Sequence, residues 1–139
     1  MSGSDDTLSL VLFSGTDDKL SAAAVLAVGA VAMGRDVNVF LQYWALDAFR
    51  ADRVRKDHGV TAEAGPEGAE LMRRARDWGH AHWSELLTQA KDLGPVHIAA
   101  CSLSMEMFGL TKEDLDPLVD GVQGVAAFMA GATGPIVFV

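Results

Sequence analysis

Short apolar blocks, broken by Gly, Asp or Arg, run the length of the chain, and their spacing predicts alternating strands and helices. Residues 7–13 read as a strand that ends in the loop signal Ser14-Gly15-Thr16. Asp17 and Asp18 follow, where a helix start favours acids. Residues 19–33 are small and apolar almost all round, which predicts a helix buried on more than one side and closed by Gly34. Residues 36–41 form the second strand, so a strand, a helix and a parallel strand make one βαβ unit.

The pattern is looser after that. Residues 45–56 suit a helix and 57–66 a long loop. Helical spacing returns over 67–77 and over 80–92, with a break at Gly79 and a stop at Gly94-Pro95. Residues 96–100 predict the third strand, and Thr111 with Asp114 a capped short helix. Residues 122–126 suit a fourth strand, followed by a brief helix ending near Gly131. The apolar run 136–139 is the last strand and needs a partner in the sheet or at a subunit interface. The expected architecture is an α/β three-layer sandwich, with a mostly parallel sheet and helices on both faces. Residues 7–139 are read as one domain, behind a flexible polar tail at 1–6.

Composition narrows the function classes. Half of the 139 residues are hydrophobic, which suits a packed core. Nineteen acids against eleven bases leave a net charge of −8, a poor match for nucleic acid or an anionic membrane. No apolar block reaches the roughly 18 residues of an integral membrane segment, and the start lacks the pattern of a signal peptide, so a cytoplasmic protein is expected. One cysteine rules out an intrachain disulfide, a CxxC pair and a multi-cysteine zinc cluster. The four histidines show no metal-ligand spacing, and no dinucleotide or phosphate-loop pattern is present; neither a metal nor a cofactor is expected.

The one chemical device in the sequence is Cys101. A strand ends at it and a helical turn starts at Ser102, so free amides there can stabilise a thiolate able to hold sulfur as a persulfide. Ser102 and Ser104 are the expected supporting residues. Parallel sheets bind ligands beyond the carboxyl ends of their strands, which makes Gly15, Tyr43, Trp44, Met105 and the loop residue His58 the expected walls. The competing reading is a packed, inert cysteine in a structural or regulatory subunit, or in a small-molecule-binding module.

The segment Ala100-Cys101, Ser104-Met105-Glu106-Met107 and Gly109-Leu110 resembles the cysteine motif of the DsrE/DsrF-like sulfur-relay family, most of all its DsrE2-like branch. The small-residue helix after the first strand and Gly124-Val125-Ala126 also fit. The resemblance implies a single α/β domain that forms a homo-oligomer, often a trimer or hexamer. It also implies a sulfur carrier or sulfurtransferase-like protein that accepts sulfane sulfur on Cys101. Its partners would be a rhodanese-like donor or a TusA-like carrier.

Overall fold

The computed structural model describes residues 7–139; the polar stretch 1–6, expected as a tail, lies outside the described residues. Five strands form one parallel sheet in the order β4-β3-β2-β1-β5. They are β1 (Leu8–Leu12), β2 (Val37–Leu41), β3 (Val96–Cys101), β4 (Gly121–Gln123) and β5 (Ile136–Phe138). The helices are α1 (Asp17–Ala32), α2 (Tyr43–Ala48), α3 (Gly68–Asp77), α4 (Trp83–Leu93), α5 (Ser102–Phe108) and α6 (Val125–Gly131). The expected α/β sheet with helices on both faces is the fold observed.

The period-two alternation of the strands sorts their side chains between two layers. Leu8, Leu10, Leu12, Val37, Val39, Leu41, Ile98 and Ala100 join the main core with α1 and α4. Phe40, Ala99 and Cys101 face the other way, into a small second core with Phe128 of α6. Chain direction explains the imbalance. The connections from β1 through β4 step one way across the sheet, so right-handed crossovers lay their helices on one face. Only the return from β4 to β5 crosses the other face, and it brings the seven-residue α6.

Two expectations change in length. The helix expected over 45–56 stops at Ala48, because the following chain is captured by a distant segment: Asp116 donates its N–H to the Phe49 carbonyl, and Ala51 to that of Asp114. The expected strand 122–126 pairs only through Gln123, and Val125 already starts α6. Thr111 and Asp114 do form a reciprocal capping box, around a 3₁₀ turn. The run at 136–139 pairs with β1.

Candidate functional site

Cys101 is the last residue of β3 and the N-cap of α5, as the strand-to-helix reading requires. Its side chain does not open to solvent. The residue is 4% exposed and packs with Phe40, Ala99 and Phe128. Phe40 and Phe128 stack 4.6 Å apart, an aromatic layer in the same small core. The sulfur-carrier reading of Cys101 is therefore corrected. A thiol that takes sulfur from one protein and hands it to another must be reached by both, and this one is closed off beneath α6. It behaves as a small buried hydrophobe.

The expected supporting residues are placed differently from one another. Ser102 is exposed on the first turn of α5. Ser104 is fully buried, and its Oγ accepts the Tyr43 N–H at 3.0 Å. That bond ties the start of α5 to the end of β2, where Tyr43 holds a left-handed conformation at φ 47°. Left-handed backbone is unfavourable for a residue with a Cβ, so the bond helps to hold a strained corner.

Of the expected walls, Gly15, Trp44 and His58 do meet. They line a cleft of about 300 Å³ with Thr16, Asp47 and Arg53, and Cys101 is not part of it. Gly15 is required there: a Cβ at this position would stand 2.4 Å from the Trp44 carbonyl oxygen. Tyr43 leans instead on Phe13, with ring centroids 5.3 Å apart. Met105 is buried in the main core.

A buried polar cluster lies at Asp17, which the sequence marks only as a helix-start acid. Asp17 is 2% exposed. Its Oδ1 accepts the Trp83 Nε1–H at 2.9 Å, and its Oδ2 the His58 N–H at 3.0 Å. Asp18 beside it accepts both the N–H and the hydroxyl of Thr61. Burial pushes the Asp18 carboxyl up, but hydrogen bonds from Thr16, Thr61 and Lys19 together outweigh it and hold it below its ordinary value. The two acids thus staple the 57–61 loop to α1. His82 caps α4, its Nδ1 accepting the Ser84 N–H. Burial keeps its pKa below that of a free imidazole. With Nδ1 accepting, the neutral ring carries its proton on Nε2, a buried atom 3.9 Å from Asp17 Oδ1 and without a hydrogen bond. No sequence spacing linked these residues, which come from three separate segments.

Among the described residues no group of three His, Cys, Asp or Glu side chains is placed to hold a metal ion. No described helix is long and apolar enough to cross a membrane.

Comparison with known proteins agrees with the fold. The chain is 29% identical to the uncharacterized protein YrkE of Bacillus subtilis (strain 168), over 88% of this chain and 89% of that one. The crystal structure of the ychN protein from E. coli superposes with a TM-score of 0.56 at 14% identity, covering 96% of this chain and 99% of that one. A protein of unknown function from Methanobacterium thermoautotrophicum, MTH1491, gives a TM-score of 0.52 at 16% identity, with 96% and 98% covered. Those two similarities concern the fold alone. The profile of the DsrE/DsrF/DrsH-like family matches residues 4–75 and 67–135. With nearly the whole chain matched, and its parallel sheet shared with two solved structures, the protein belongs to the DsrE/DsrF/DrsH-like family.

Proposed function

We propose that this chain is a non-catalytic, self-associating subunit, joined to further copies of itself through the α6 face of its sheet. The observation that carries this reading is α6 itself. Its sequence, Val-Ala-Ala-Phe-Met-Ala-Gly, has no polar side chain, yet only Phe128 is buried. A helix that is apolar all round belongs in an interior, and a parallel sheet is ordinarily covered on both faces. Here Val125 and Met129 are more than half exposed. Ile136 and Phe138 of β5 extend the apolar surface at that edge of the sheet, with Phe138 67% exposed.

The absence of charge on α6 favours a second copy over a charged partner, because homodimer interfaces are the more apolar class. The alanines and Gly131 also allow close backbone approach between two α6 helices related by a two-fold axis. Cys101 then lies directly under the interface, where packing is the role open to it.

The test is the mass of the full chain in solution, by sedimentation across a range of concentrations, alongside Met129→Glu. Met129 is exposed, so the variant should keep its circular dichroism spectrum. An oligomer that the variant converts to a monomer supports the reading. A wild-type chain that is monomeric at every concentration, or an oligomer indifferent to Met129→Glu, refutes it.

A further inference from the structure

The face of the sheet opposite α6 carries a cavity of about 320 Å³ between α1, α3 and α4. That is the lower end of the range for small-molecule sites. Val25, Met72, Ala75 and Leu86 supply apolar walls. The deep end is Trp83 and Asp17, both almost fully buried; the shallow end holds Arg76 and the exposed His80. We propose that this cavity binds a small carboxylic acid with an apolar body, its tail against Trp83 and its carboxylate on Arg76 at the mouth.

Three observations carry this. First, α3 is strongly two-sided in sequence but has no buried residue. Its Met72 and Ala75 rest over the cavity where an amphipathic helix would rest on core. An apolar occupant supplies the missing contact. Second, the arginines of this region differ in what they hold. Arg73 hydrogen-bonds both Glu70 and Asp77, and Arg74 lies over the Trp78 ring. Arg76 makes a loose ion pair with Asp57 at 3.9 Å and without a hydrogen bond, so its N–H donors remain open to a carboxylate in a strongly acidic chain. Third, the acid at the deep end is already engaged within the protein. The Asp17 oxygens already accept two N–H groups and are almost completely covered. An ammonium ligand would also have to pass Arg76.

The site lies across the sheet from α6 and does not depend on self-association. The experiment is a titration of the full chain with octanoate, octanol and octylamine, followed by backbone NMR and the Trp83 indole N–H. Octanoate is expected to saturate, with shifts at Met72, Ala75, Leu86 and Trp83. Arg76→Met should weaken octanoate at least tenfold and leave octanol within about twofold. Ala75→Phe, checked by circular dichroism to be folded, should abolish both. The inference is overturned if octanoate gives no saturable shift at these residues, if its shifts map to α6 instead, if octanol or octylamine binds as tightly as octanoate, or if Arg76→Met binds octanoate like the wild type. The Arg76→Met arm decides the question even if Ala75→Phe does not fold.

Discussion

Trp83→Phe removes the indole N–H donor and tests the Asp17 cluster directly. Trp83 is 1% exposed and is held between Phe49, His58 and His82, with ring centroids 4.9, 5.7 and 4.8 Å away. Phenylalanine keeps most of that contact and loses the donor. A hydrogen bond to a charged group is worth about 1.5–3 kcal/mol, and the small void left by the missing ring edge adds about 1 kcal/mol. The expected loss is therefore about 2.5–4 kcal/mol. Urea unfolding at neutral pH and one fixed protomer concentration reads it. With a slope of about 2 kcal/mol per molar urea, the midpoint should fall by about 1–2 M. The fixed concentration matters, because self-association would itself contribute to stability.

A second arm separates the bond from the packing. Asn at 17 keeps an oxygen acceptor and removes the charge. In the Asp17→Asn background, Trp83→Phe should cost about 1–2 kcal/mol less, a coupling within the range found for groups in contact. A single-variant loss below about 1 kcal/mol would refute the reasoning. So would a full loss that is identical in both backgrounds, since the indole would then matter by volume alone.

The other expectations are shorter. Gly15→Ala should cost about 1–3 kcal/mol in thermal unfolding, because its Cβ meets the Trp44 carbonyl oxygen at 2.4 Å. Gly29→Ala, in the last turn of α1 with no heavy atom within 4 Å of the new Cβ, should instead stabilise by about 0.5–1 kcal/mol. His82, held neutral by burial, binds fewer protons folded than unfolded. Its contribution therefore falls as pH drops below about 6.5, the ordinary imidazole value, and levels off below its lower folded pKa. His82→Asn keeps an N-cap and should flatten that limb of the stability profile, measured by urea midpoints from pH 7.5 to 5. Cys101 should resist a thiol reagent in the native chain and react after Phe128→Ala, which opens the small core above it; equal native rates in the two proteins would show that α6 is not the cover.

The fold was readable because its signals are local. Alternating short strands and helices, Gly34 and the capping box at Thr111 each act within a few residues of themselves. The site was not, because its determinants meet only in three dimensions. Asp17 has the sequence position of any acid at a helix start, and its burial comes from Trp83 and His58, more than 40 residues away. Ser104 reads as a neighbour of the cysteine, but its hydroxyl accepts the Tyr43 N–H at the start of α2. Gly15, Trp44 and His58 do share a cleft, since residues beyond adjacent strand ends are brought together by the sheet itself.

Cys101 shows where a motif and its chemistry part company. Its place at the end of β3 follows from local sequence, and so does its side of the sheet, through the alternation of Ala99, Ala100 and Cys101. Whether that side is open depends on the connection from β4 to β5, which no residue near the cysteine encodes. In this chain the connection is α6, and Phe128 reaches from it onto Phe40 and closes the layer. The same helix that shuts off the thiol turns Val125 and Met129 outward. Burial of the cysteine and exposure of an apolar surface are thus two results of one structural choice. That is why loss of carrier chemistry and gain of a self-association face belong to a single reading, and why Met129→Glu and Phe128→Ala probe its two sides.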